Sequence, residues 1–435
     1  MSKSYQQTIE WLFAQLPMFH RVGAAAYKAN LDNTYALMNA CGQPHIGLKT
    51  IHIAGTNGKG SSSHMLASIF QSHGYKTGLY TSPHLVDFRE RIRINGEMIS
   101  QENVIEFVEQ MKSKVEDIRP SFFEWTVALA FHHFQKEKVE IAIIETGLGG
   151  RLDSTNVISP ELSLITNISM DHAALLGDTL EKIAGEKAGI IKNTAPVVIS
   201  EHSSIDAVFI EKAKQVATDL YFASDSVEIR GTTVPGTFQA SVKENTYWNN
   251  MQLQVDLQGA YQGKNIAGVL CSVLLLKDKW KLQDALIKEG IEKASSQTGL
   301  QGRWMCLQEK PRVVADIAHN EAGIQEVVQS LARYSYKQLH IVFGAVQDKE
   351  VSKVLALLPQ DAHYYACAPN LPRALAVEQL LEKIEFSGRK GEQFNSVQSA
   401  YNKAVQQASS DDFVLVCGSN FVVAEVLESM QHDKD

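Results

Sequence analysis

The chain has 435 residues, 44% of them hydrophobic and 21% charged, a soluble-globular make-up too long for one ordinary core. Its net charge of −8 argues against non-specific nucleic-acid binding, and no apolar run reaches the roughly 18–20 residues of a membrane span. Five scattered cysteines, none in a C-x-x-C pair, suit neither a disulfide framework nor a zinc site. The start, MSKSYQQTIEWLFAQ, lacks the apolar core and small-residue cleavage site of a secretion signal, so the expectation is a cytoplasmic protein. A monomer suffices, since nothing in the sequence demands a partner chain.

The first strong element is the apolar run IHIA (51–54), followed by the glycine loop GTNGKGS (55–61). Apolar residues at 65, 66, 69 and 70 then repeat at helical spacing up to Gly74, a candidate C-cap. Strand, glycine loop and helix form the arrangement in which helix N-terminal N–H groups meet a phosphate. Gly55, Gly58 and Gly60 let the backbone wrap an anion, Lys59 supplies charge, and the Ser61 hydroxyl could reach a Mg²⁺. The loop nevertheless fails G-x-x-x-x-G-K-[ST], because Ile53 stands where a glycine is needed and Gly60 follows Lys59. A glycine turn with a surface lysine is the competing reading.

TGLYT (77–81) reads as the next strand, and Asn95-Gly96 within RIRINGEMIS (91–100) marks a hairpin. EIAIIE (140–145), LSLIT (162–166) and PVVIS (196–200) are further strands, separated by helical patterns at 122–137, 179–189 and 204–218. Such alternation predicts a mostly parallel sheet covered on both faces. From about 221 to 257 short strands and turns predict a small antiparallel sheet appended to it. A polar, glycine-containing stretch, SSQTGLQ (295–301), predicts a boundary that divides the chain into 1–298 and 299–435. Beyond it RVVADI (312–317), LHIVFG (339–344), HYYACA (363–368) and FVLVCG (413–418) restart the βα rhythm as a second, Rossmann-like α/β domain.

Ligands of open α/β sheets bind beyond the carboxyl ends of strands, so the polar residues there belong together. They are GTNGKGS, Ser82-Pro83-His84, Glu145 with GLGGRLDSTN (147–156), and Asp171-His172. A carboxylate such as Glu145 at the end of an apolar strand is costly unless paired, metal-bound or frayed into water. Lys187 in EKAGIIK reads by default as a snorkelling lysine. In the second domain Arg303, Asp316, His319, Asp348-Lys349 and Ser419 either close over a shared site or serve as caps and loop residues.

In chain order AGTNGKGS, TSPHL, ERIRINGE, GLGGRLDSTN, ITNISMDH, EKIAGEKAGIIK, GRW, DIAHNEAG and VCGS resemble the folylpolyglutamate synthase family of the Mur-ligase superfamily. The likeness runs from about residue 20 to 425 and is strongest to the bacterial bifunctional members. It implies a P-loop ATPase-like N-terminal domain and a C-terminal Rossmann-like domain with ATP between them. Gly55, Thr56, Asn57, Gly58, Lys59, Gly60 and Ser61 would hold the phosphates, with Asn265, Arg303 and Asp316 elsewhere on the nucleotide. Two Mg²⁺ ions are implied, one on Ser61 and Glu145 and a second served by Ser82, Glu145 and His172. Lys187 falls where the family carries a carbamylated lysine, which would give that site an anionic oxygen donor.

His319 and Ser419 match positions near the incoming L-glutamate, and Phe123 and Asp153 those that hold the pterin ring. Lys59, Lys187, His172 and His319 are thus the candidate catalytic residues. Ile266, where the family usually has Ala, makes the contact from the Asn265 helix less secure. The activity implied is ATP-dependent amide synthesis through an acyl phosphate, with 7,8-dihydropteroate, reduced folates, L-glutamate and ATP as substrates. Polyglutamylation alone is the near alternative. A peptidoglycan-precursor ligase, another P-loop phosphotransferase and an inactive binding module fit the motifs less well.

Overall fold

A computed structural model describes residues 4–17, 30–193, 195–234, 237–242, 248, 250–347 and 350–432. Asp348-Lys349 therefore lie outside the described residues. The run at 51–54 forms β1 (Thr50–Ala54), in which every residue is buried because the sheet is covered on both faces. β2 (Thr77–Tyr80), β3 (Ile92–Ile94), β4 (Glu97–Met98), β5 (Ile141–Glu145), β6 (Leu162–Ile165), β7 (Val197–Ile199) and β8 (Leu220–Phe222) join it. Among the described residues this is one eight-stranded sheet of order β4-β3-β2-β5-β1-β6-β7-β8.

β1 pairs in parallel with β5 on one side and β6 on the other. The chain first builds outward through β2 and β5, then crosses β1 to continue at β6. β1 is thus the point where the winding reverses, the position at which α/β sheets open a ligand crevice. The β3–β4 hairpin is the antiparallel edge: Arg93 pairs with Met98 across Asn95 and Gly96, whose φ values of 50° and 81° suit a tight primed turn.

Helix Lys59–Ser72 starts two residues before Ser61, because Gly58 at φ 87° turns the chain directly into it. It is buried from Gly60 to Phe70, packed against helices Gln262–Trp280, Asp284–Glu292 and Ala294–Thr298. The helical patterns at 122–137, 179–189 and 204–218 become Phe122–Lys136, Leu180–Ala188 and Asp206–Gln215. The antiparallel sheet consists of β9 (Ile229–Val234), β10 (Thr237–Val242) and β11 (Gln252–Val255), and Phe238, Leu253 and Val255 bury it in the same core. β8 departs from expectation: the change in character near 221 hides one more parallel strand, joined to β7.

The polar stretch 295–301 is only partly a connection. Its first half lies in helix Ala294–Thr298, whose Gln297 accepts a hydrogen bond from Ser68 at 2.6 Å. The chain then enters a second sheet made of β12 (Met305–Glu309), β13 (Arg312–Ala315), β14 (Leu339–Phe343), β15 (His363–Cys367), β16 (Lys390–Phe394) and β17 (Phe413–Cys417). Its order is β12-β13-β17-β14-β15-β16, parallel except for β12. Four of these strands follow from the apolar runs. β12 and β16 do not, because both are half-exposed edge strands whose polar residues break the pattern. The loops after β13 and β17 lie together, with Gly418 N–H donating to the Ala318 carbonyl at 3.1 Å.

Candidate active site between the two sheets

The loop after β1 is fixed by the segment that follows β6. Thr56 N–H donates to the Asn167 carbonyl at 2.6 Å, and Thr166 Oγ1 donates to that of Asn57 at 2.6 Å. A Cβ at Gly55 would stand 2.0 Å from Thr166 Oγ1, and one at Gly58 2.3 Å from Asn265 Oδ1. Only glycine fits at either place. Gly58 offers no side-chain cap to the helix it starts, so the first-turn N–H groups remain available to an anion.

Two lysines reach into this loop. Lys59 Nζ donates to the carbonyls of Gly55 and Thr56 at 3.0 and 3.2 Å. Lys187 Nζ donates to the same Gly55 carbonyl at 2.8 Å. Lys187 is no surface lysine: it is 3% exposed. Burial, with the charge of Lys59 beside it, lowers its pKa to about 7.

Glu145 ends β5 and is 4% exposed, with the Ser82 N–H donating to it at 3.2 Å. Burial raises its carboxyl pKa, against the pull of Lys59. Ser82 itself precedes a cis peptide bond to Pro83. Ser61 is buried one turn into the helix and accepts from Gln262 Nε2 at 3.3 Å. Gln262 Oε1 in turn accepts from Asn265 Nδ2 at 2.8 Å, so the start of helix Gln262–Trp280 braces the loop. Ile266 has no part in this; it is fully buried in the core, and the departure from the family pattern there leaves Asn265 in place.

Ser61 and Glu145 are hard oxygen donors fit for Mg²⁺. Among the described residues no group of three or more His, Cys, Asp or Glu could hold an ion unaided.

The second sheet meets this edge through the loop after β13. Asn57 and Asn320 exchange amide hydrogen bonds at 3.2 and 3.1 Å. Asn320 also donates to Asp171 Oδ2 at 3.1 Å and caps helix Glu321–Leu331 by accepting from Gly323 N–H. His319 Nε2 lies 3.4 Å from the same Asp171 oxygen, and His172 Nε2 3.8 Å from it. Asp171 therefore joins the two histidines. His172 adopts φ 50°, a left-handed conformation uncommon outside glycine.

Asp316, 3% exposed, accepts from Tyr261 Oη at 2.7 Å, Trp304 N–H at 2.9 Å and Ala318 N–H at 2.9 Å. It is thus both a loop organiser and a second tie between the sheets. Arg303 extends Nη2 over the helix start, 3.2 Å from where a Gly60 Cβ would lie. Ser419 is buried and accepts from Phe421 N–H at 3.2 Å at the head of helix Asn420–His432.

Phe123 and Asp153 stand at the neighbouring loop. The Phe123 ring covers Gly147, whose Cβ would be 2.4 Å away. Asp153 accepts from Gly147 and Leu148 N–H at 2.8 Å each and from Thr155 N–H and Oγ1 at 2.9 and 2.5 Å, so its carboxylate holds the loop's shape.

The sequence reading gave no role to Asp171, Asn320, Gln262 or Tyr261. Each acts on a partner distant in the chain: Asp171 with Asn320, Gln262 with Ser61, and Tyr261 with Asp316.

The Mur ligase middle domain matches residues 53–273 and the Mur ligase glutamate ligase domain residues 302–420. A Bacillus subtilis dihydrofolate synthase/folylpolyglutamate synthase is 32% identical over 99% of this chain and 100% of its own. The chain belongs to the folylpolyglutamate synthase family of Mur ligases. Its Escherichia coli counterpart is 32% identical over 86% of this chain and 85% of its own. A Haloferax volcanii relative, a probable bifunctional folylpolyglutamate synthase/dihydropteroate synthase, is longer, and the chain spans 48% of it at 33% identity. The structure of Escherichia coli FolC in complex with DHPP and ADP superposes with a TM-score of 0.86 at 28% identity, covering 100% of this chain and 99% of that one. Another folylpolyglutamate synthase/dihydrofolate synthase, with Mn, AMPPNP and L-glutamate bound, gives 0.83 at 27% identity over 99% and 100%. For the family member described here, no helix among the described residues is long and apolar enough to cross a membrane.

Proposed function

We propose that this chain is an ATP-dependent carbon–nitrogen ligase that joins L-glutamate to 7,8-dihydropteroate and to reduced folates. The observation that carries the reading is the convergence of Lys59 and Lys187 on the Gly55 carbonyl, under a second-sheet loop that grips Asn57. The division at 298/299 belongs to the same reading, with ATP held between the two parts.

In this mechanism residues 55–61 and Lys59 bind the phosphates, and Asn265, Arg303 and Asp316 hold or frame the rest of the nucleotide. The acceptor carboxylate attacks the γ-phosphorus; the bond from that phosphorus to the bridging oxygen breaks and ADP leaves. The glutamate amine, positioned by His319 and Ser419, then attacks the acyl carbon. Phosphate departs, and the amine loses its proton as the amide forms. Phe123 and the loop shaped by Asp153 seat the pterin. Ser61 and Glu145 would hold one Mg²⁺, and Ser82, Glu145, His172 and a carbamylated Lys187 a second. Bound there, the ions offset the charge on the phosphate oxygens. Positioning of this kind lowers a barrier by up to about 7–11 kcal/mol. The Asn57–Asn320 pair keeps water from the acyl phosphate by holding the second sheet against the loop.

The test is ADP release by the purified chain with MgATP and each acceptor in turn. Release that requires both L-glutamate and a pterin-bearing acceptor supports the reading; release indifferent to glutamate sinks it.

A further inference from the structure

Beside the glycine loop, against the cis-proline turn, a pocket opens that is lined by His64, Ser82, Glu90, Arg93, Glu145 and Arg303 among others. Its chemistry is asymmetric. Arg93 lies against Gly299, 3.1 Å from where a Cβ would stand, and donates from Nη1 to the Gly96 carbonyl at 2.8 Å. Its Nε is buried without an acceptor among the described residues. Arg303 makes one long contact, 3.4 Å to the Gly302 carbonyl. Glu90 acts on Arg93 through its charge without touching it, its carboxylate oxygens being held by Leu85, Val86 and Asp87 N–H at 2.7, 3.0 and 2.8 Å, and Arg303 acts on Glu145 in the same way. Two guanidinium groups thus border one pocket, and neither forms an ion pair among the described residues.

His64 sits close enough to both arginines for their charges to act on it, and burial holds it neutral. Its Nδ1 lies 2.7 Å from Thr298 Oγ1, and that hydroxyl already donates to the Ala294 carbonyl. Nδ1 must therefore carry the ring proton, which leaves Nε2 as an acceptor without a partner among the described residues. The pocket offers cations for a carboxylate and, beside them, a lone pair for an N–H. An N-acyl amino acid presents that pair of groups on one carbon. A glutamylated folate carries the unit in its tail; dihydropteroate does not, since its one carboxylate is the reacting group.

We propose that Arg93 and His64 form the subsite for the α-carboxylate and amide N–H of the acceptor's glutamyl tail. The inference rests on the folate-ligase reading above. Arg93 is then a specificity residue for chain extension over first addition. Arg303 stays with the nucleotide.

The experiment compares wild type, Arg93→Gln and Arg93→Lys with dihydropteroate and with tetrahydrofolate, following ADP while acceptor and glutamate are varied separately. Arg93→Gln should lower kcat/KM for tetrahydrofolate relative to dihydropteroate by at least about tenfold, mostly through KM, with Arg93→Lys recovering part of it. N-(4-aminobenzoyl)-L-glutamate should compete with tetrahydrofolate in wild type and compete at least about tenfold more weakly in Arg93→Gln and in His64→Phe. An equal loss with both acceptors, or a rise in KM for L-glutamate instead, overturns the proposal. A wild type that releases no glutamate-dependent ADP with either acceptor defeats the functional reading itself, a result distinct from either of these.

Discussion

The ammonium groups of Lys59 and Lys187 converge on one atom, the Gly55 carbonyl oxygen, at 3.0 and 2.8 Å. Burial, and then the like charge of Lys59 beside it, disfavour the ammonium form of Lys187. Its pKa of about 7 means that Lys187 is protonated below neutrality and increasingly a free amine above it. Carbon dioxide adds only to the free amine. Carbamylation should therefore rise with pH through about pH 7. Isotopically labelled bicarbonate and carbon NMR would show a carbamate signal growing across that range in wild type and missing from Lys187→Ala. Lys187→Ala should also lose activity that short carboxylic acids partly restore.

Glu145 is a buried carboxylate that accepts a hydrogen bond from the Ser82 N–H. Burial raises its pKa, so the charged form is unfavourable in the protein alone. Glu145→Gln keeps the shape and removes the charge. It should leave the thermal midpoint unchanged or higher while lowering ligase turnover by at least about a hundredfold, a loss of roughly 2.7 kcal/mol in barrier lowering. A variant that is destabilised yet active would contradict the assignment.

Asn320 caps a helix and also grips the glycine loop, and the two roles are separable. Asn320→Ser retains an oxygen for Gly323 N–H but gives up the amide pair with Asn57 and the reach to Asp171. Stability should fall by less than about 1 kcal/mol, because serine caps nearly as well. Activity should fall about tenfold, as expected for losing roughly 1.4 kcal/mol of positioning. Denaturant unfolding and steady-state kinetics on the same preparation distinguish the two effects.

Much of this was readable from residues. The apolar runs placed the inner strands of both sheets, and the polar residues at their ends proved to cluster around β1. What escaped the sequence has physical causes. β12 and β16 are edge strands, half-wet and without continuous apolar character. β8 looked like the beginning of the antiparallel sheet because it is three residues long and partly exposed. Asp171 and Gln262 act across the fold, joining groups far apart in the chain, and no local pattern reports such a partner. Lys187 looked like a surface lysine beside small residues, and only packing against the Gly55 carbonyl shows it to be interior.

Gly58 tests the loop by backbone alone. At φ 87° and with Asn265 Oδ1 2.3 Å from its Cβ position, alanine meets both strain and a clash. Gly58→Ala should cost about 1–2 kcal/mol of stability and raise KM for ATP more than KM for either acceptor. Calorimetry and kinetics with ATP varied would show it.

The most direct test of the central claim follows oxygen. Dihydropteroate with heavy oxygen in its carboxylate is offered to the enzyme with MgATP and L-glutamate, and the released phosphate is weighed by mass spectrometry. If the carboxylate is activated as an acyl phosphate, one heavy oxygen from it appears in phosphate for each amide formed. Amide formation with unlabelled phosphate, or ATP hydrolysis without dihydrofolate, would contradict the account.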